Sequence, residues 1–196
     1  IFIVWVFRVC QDFSGNFYKK IGKNLLANRF SPAVGFSYGN SDVLPYIEQF
    51  FVGGANSIRA FRLRGIGPGG FVRTDTDSDV GQQFIDQTGD VKLEISSEYR
   101  FDLLGFFKGA FFVDAGNVWL LNNETAPVQK FGFDTFWKEI AVGAGIGLRI
   151  DIEYIVLRVD VATPLRQPYL NEGFQWTFDR FDFGNSSWRS DTIVFN

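Results

Sequence analysis

Polar and apolar residues alternate with a period of two along much of this chain. In residues 90–102, Val91, Leu93, Ile95, Tyr99 and Phe101 fall on one face and Lys92, Glu94, Glu98, Arg100 and Asp102 on the other. Residues 139–151 set Ile140, Val142, Ile146, Leu148 and Ile150 against Gly143, Gly145, Gly147, Arg149 and Asp151. Residues 154–165 set Ile155, Leu157, Val159 and Val161 against Arg158 and Asp160, and residues 106–119 set Phe107, Phe111, Val113 and Trp119 against Lys108 and Asp114. Side chains alternate across a strand, so each of these segments predicts a strand. Residues 33–39, with Val34, Phe36 and Tyr38 on one side, predict another. Residues 1–13 and the terminal DTIVFN complete a set of about seven. Residues 15–29 fit either a loop or a short helix.

The connections are unequal. Short turns are expected near residues 102–105 and 151–154, and long ones over residues 41–89, 120–138 and 166–191. Alternating short and long connections are the habit of outer-membrane barrels. In such a barrel the apolar face meets lipid and the polar face lines the lumen; in a soluble sandwich the apolar face is inside. Alternation alone does not choose between them. The polar faces here carry opposite charges on neighbouring strands, glycines stack along one of them, and Trp119, Tyr154 and Tyr169 lie near strand ends, where an interfacial girdle would be. These features favour an all-β, transmembrane antiparallel barrel. The apolar opening, residues 1–7, is far shorter than the roughly 18 residues of a membrane helix.

Composition narrows the chemistry. The chain has 196 residues, a net charge of -3, no histidine, no methionine and one cysteine. A general nucleic-acid binder would be basic. A Ser-His-Asp triad cannot be built without histidine, and one cysteine makes neither an internal disulfide nor a cysteine zinc site. Cys10, beside an apolar run, is expected to be a buried, inert thiol. The lack of an initiator methionine is expected of a processed product or fragment. No enzymatic activity and no cofactor are expected.

Residues 50–70, FFVGGANSIRAFRLRGIGPGG, follow neither period. Glycines at 53, 54, 65, 67, 69 and 70 mark a loop, yet Phe50, Phe51, Ile58 and Phe61 have little use for water. Arg59 is either an ordinary surface arginine or a buried one facing an interior carboxylate, for which Asp114 is the best candidate. Arg62 and Arg64 are expected to line the interior without one fixed partner. Asp75, Asp77 and Asp79, with Asp86, have the spacing of a calcium loop. Val80 stands where such a loop needs glycine, so a solvated acidic tip is the plainer reading and no metal is expected.

Two motifs in this order, Ile58-Arg59-Ala60-Phe61 after Gly53-Gly54, and Phe112-x-Asp114-x-Gly116, resemble the BamA/TamA superfamily of outer-membrane assembly barrels, the bacterial surface antigen family. The family usually has glycine where Ala60 stands. The resemblance implies that residues 1–196 are the C-terminal part of a larger, sixteen-stranded barrel, with residues 44–89 a long loop inserted in the lumen and a final strand cut short. It implies membrane lipid, the rest of the barrel, periplasmic repeat domains, client outer-membrane proteins and accessory subunits as partners. It further implies a bacterial outer-membrane location and a role in inserting or translocating other barrel proteins through a weak seam, without cofactor. A passive porin-like channel and a soluble β-sandwich binding module are the alternatives.

Overall fold

The structure is a computed structural model that describes residues 6–39, 44–71, 86–122, 127–152, 155–170, 175–177 and 194–195. Its strands are β1 (Val6–Asp12), β2 (Gly15–Ile21), β3 (Asn24–Gly39), β4 (Val91–Leu104), β5 (Phe107–Trp119), β6 (Ala141–Ile152), β7 (Ile155–Arg166) and β8 (Val194–Phe195). They form one antiparallel sheet in the order β1-β3-β4-β5-β6-β7-β8, with β2 also paired to β3. From β2 onward, strands adjacent in sequence are adjacent in the sheet, whereas β1 pairs with β3 and not with β2.

Residues 15–29, open to either loop or helix from sequence, are β2 and the first part of β3. The alternation that would have shown this is blurred, because every residue of β2 is exposed. β1 and β2 lie along the same edge of β3 in one unbroken register, Asp12 opposite Ala33 and Gly15 opposite Phe30. The interruption falls opposite Pro32. Phe13 N–H donates to the Pro32 carbonyl at 3.0 Å, but proline has no N–H to return. Eight strand segments therefore occupy seven places across the sheet. The hairpin closes through Gly22-Lys23, with Gly22 at φ 64, the glycine position of a two-residue turn.

The two faces of the sheet are used in opposite ways. Residues 44–71 cover the polar face of β4 to β7. The apolar face is bare: Ile95, Phe111, Val113, Ile146, Leu157 and Val159 are each between 44% and 56% exposed. Hydrophobic burial would drive these side chains together in water, yet no second sheet packs on them among the described residues, which speaks against the sandwich alternative. The strands β4 to β7 have 12 to 14 residues, enough for the roughly 9–11 that a tilted strand needs to cross a bilayer.

Three further expectations are corrected. Trp119 is fully buried instead of sitting in a girdle, because the segment after β5 folds over it. Phe131 and Phe136 meet its ring edge-on, and its indole N–H donates to Glu139 Oε2 at 2.5 Å. Tyr169 packs, partly buried, against the cluster under the long loop. Cys10 is exposed, since it lies on the edge strand β1. Tyr154 lies outside the described residues.

The bare face generates a prediction. In the membrane-embedded full-length protein, Leu148→Arg or Leu157→Arg should each cost about 2–4 kcal/mol, read by reversible unfolding in lipid. Spin labels at the same two positions should report lipid; a water signal would refute this orientation.

Candidate functional site

The site assembles from register. On the covered face, Ser96 of β4 lies opposite Asp114 of β5, which lies opposite Gly143 of β6. One row on, Glu98, Phe112, Gly145 and Ala162 stand side by side; in the next row Arg100, Ala110, Gly147 and Asp160 do so. Period-two alternation sends all of these to one face. Carboxylates from three strands thereby converge.

The long loop delivers a cation to them. Its neck is closed by Arg64 N–H donating to the Val52 carbonyl at 3.0 Å and Gly54 N–H donating to the Phe61 carbonyl at 2.8 Å. Gly53 and Gly54, at φ 102 and 87, make the inward turn, and a β-carbon on Gly53 would collide with the Arg62 carbonyl. Val52, Ile58, Ala60, Phe61 and Ile66 are buried against Phe112, Val118, Ala141 and Ala162, each larger side chain contributing roughly 1.5–3 kcal/mol of transfer free energy. Phe50 is half-buried, whereas Phe51 stays 39% exposed.

This apolar seat holds Arg59 at 4% exposure. Its Nε and Nη2 donate to Asp114 Oδ2 and Oδ1 at 2.8 and 2.9 Å, a two-pronged pairing that lysine cannot make. Its backbone N–H donates to the same Oδ2 at 3.1 Å. Its Nη1 lies 2.7 Å from Glu98 and 3.3 Å from Asp160. The guanidinium carbon stands 3.4 Å from the centre of the Phe112 ring, a cation–π contact. Ser96 donates to Asp114 Oδ1 at 2.7 Å. Arg149 bridges Glu98 and Asp160 at 2.8 and 3.2 Å. Arg100 and Arg158 reach Glu98 and Asp160 from the exposed rim. Four guanidinium groups thus surround three carboxylates.

The glycines of β6 make room for this. A β-carbon at Gly145 would strike the Phe112 ring, and one at Gly147 would strike Arg149 and Asp160. A β-carbon at Gly116 would collide with the Leu93 carbonyl and come within 3.2 Å of Ile58. Asn117 ties the upper end together: its amide donates to the carbonyls of Gly69 and Glu139, from two different long connections.

The structure thus brings Ile58, Arg59, Ala60, Phe61, Phe112, Asp114 and Gly116 into one place, with Gly53 and Gly54 at the neck. Sequence reasoning did not single out Glu98, Asp160 and Arg149 as members of one cluster with Arg59. Their inward parity was readable, but their coincidence needed the register. Arg64 is corrected: it has fixed partners, donating to Tyr46 Oη at 2.6 Å and to Asp86 Oδ2 at 3.0 Å. Hydrogen bonds from Tyr46 and Arg64 hold the Asp86 carboxyl below its usual range, and the bond to Asp86 pushes the Tyr46 hydroxyl up. Asp75, Asp77 and Asp79 lie outside the described residues.

Removing Arg59 strands Asp114, because Glu98 and Asp160 keep Arg149. Arg59→Ala should therefore cost about 3–5 kcal/mol, the loss expected when a buried pair is broken from one side. Adding Asp114→Asn to it should restore part of that loss, while adding Glu98→Gln should not. Unfolding of the full-length protein in lipid measures all three variants. Equal effects of the two added substitutions would refute the assignment.

Comparison with known proteins gives the geometry its context. The Omp85 superfamily domain matches residues 9–186. Among solved structures, BamA from Haemophilus ducreyi lacking POTRA domains 1–3 is similar, with a TM-score of 0.60 and 23% identity over 84% of this chain. That likeness speaks for the fold: an open sheet corresponding to part of a barrel. This chain spans 32% of the length of that one. With the family domain matched along most of its length, the chain belongs to the Omp85 superfamily.

Proposed function

We propose that this chain is the C-terminal part of a bacterial outer-membrane barrel that inserts, assembles or translocates other outer-membrane proteins. The bare apolar face of β3 to β7 contacts lipid, and the covered face is lumen wall. The outer edges of the sheet formed by the described residues, at β1/β2 and β8, pair with further protein, the rest of the same barrel, because lipid cannot satisfy unpaired backbone groups. The action needs no cofactor and no bond-making chemistry: it consists of opening and closing strand pairing at a seam. Client barrel proteins, periplasmic repeat domains and accessory subunits are the partners this reading calls for.

One observation carries the proposal. The Arg59 loop is cross-linked by charge to β4, β5 and β7 on the polar face, so that face is filled instead of open. A loop fixed so firmly on the lumen wall argues against a wide open pore, and it braces the wall that a folding machine has to keep rigid while its edges yield.

The test is reconstitution. The full-length protein in phospholipid vesicles should speed the folding of a denatured outer-membrane barrel protein, scored by its heat-resistant compact band on gels, above the rate in empty vesicles. Arg59→Ala should slow that rate several-fold. Steady ion conductance with no acceleration of folding would favour the passive channel instead.

A further inference from the structure

The loop is held by more than charge. Asp114 and Gly143 are direct cross-strand partners on β5 and β6, and they receive consecutive residues of the loop. Asp114 takes the side chain and backbone N–H of Arg59. Gly143 takes Ala60: a β-carbon built on Gly143 would overlap the Ala60 methyl and come within 3.5 Å of its Cα. Ala60 is 3% exposed and belongs to the buried cluster that includes Phe112 and Ala162.

We infer that Gly143 is a positioning residue for Arg59, setting the depth at which the loop seats by leaving space for one methyl group, that of Ala60. The need for glycine at this position is spatial. Gly143 does not adopt the left-handed backbone that excludes other residues, unlike Gly53, Gly54, Gly67 and Gly69. Close-packed contacts of this kind hold one methyl and no more. A second methyl between β6 and the loop lifts the backbone at Ala60. The Arg59 N–H, one residue away and 3.1 Å from Asp114, is then drawn off its acceptor, and the two-pronged side-chain pairing opens with it. The neighbouring glycines serve other groups: Gly145 faces the Phe112 ring and Gly147 the Arg149–Asp160 pair. Ala60 and Gly143 therefore form a pair whose combined size matters, whichever member carries the methyl.

The experiment is a size-swap in the full-length protein in lipid, read by the rate at which protease cuts the loop. That readout does not depend on client folding, so it stands or falls separately from the proposed function. Gly143→Ala should raise the cleavage rate about tenfold or more, as expected when an overpacked contact opens locally. Ala60→Val should do the same from the loop side. Ala60→Gly alone should stay close to the native rate. Combining Ala60→Gly with Gly143→Ala should return the rate to near native, and if Gly143→Ala alone fails to accumulate, recovery of folded protein in the double variant reads the same coupling. Gly145→Ala should not be rescued by Ala60→Gly. A native cleavage rate for Gly143→Ala, or a double variant no better than Gly143→Ala, would overturn the inference, as would rescue of Gly145→Ala.

Discussion

A guanidinium removed from water has to be surrounded by acceptors, and the rest of this structure follows from meeting that demand at Arg59. Full pairing takes Asp114, Glu98 and Asp160, which sit on three different strands. Those strands must be in register to within one residue, since a slip of one would turn every carboxylate to the other face. The loop must also reach them, which brings its apolar residues onto the sheet. Charge pairing and hydrophobic burial thus act on the same contact: the apolar seat excludes water, and its exclusion makes both the pairing and the register more consequential.

This arrangement inverts the usual logic of a β-sheet in water. The polar face is buried under protein and the apolar face is bare. The small residues of β6 are what make the inversion possible. A face lined by bulky side chains would hold the loop away from β5, and Arg59 would fall short of Asp114. Glycine here is a spacer of zero size, and its cost in a strand, a loss of side-chain packing and backbone order, is offset by the groups that lean over it. The Phe112 ring over Gly145 shows this best, because the same ring then supplies the π-face beneath Arg59.

The upper end of the sheet follows a different rule. Asn117 and Trp119 alternate with Val118 as strand residues should, yet all three are fully buried. Here the connections wrap both faces, tied by Asn117 to Gly69 and Glu139. Below this level Val113 and Phe111 are exposed on the apolar face. The change from bare to wrapped therefore falls between Val113 and Asn117.

Period-two alternation determined by itself that β4, β5, β6 and β7 are strands and which side chains share a face, because side-chain direction on a strand is a local property of the backbone. The glycines around residues 50–70 likewise marked the loop, and the incongruity of arginine and phenylalanine in it pointed to burial. The sequence pattern was silent on residues 15–29, because β2, an edge strand exposed along its whole length, imposes no alternation on the segment that leads into β3. It misplaced Trp119 and Cys10, whose burial depends on what covers them and not on their own neighbours. Only the tertiary structure decided that Glu98, Asp160 and Arg149 join Arg59 and Asp114, since residues as far apart as Arg59 and Asp160 meet through strand register and loop return. Neither of these is written in the local pattern. Burial and pairing are properties of the assembled surface, and the sequence fixes them only through the fold as a whole.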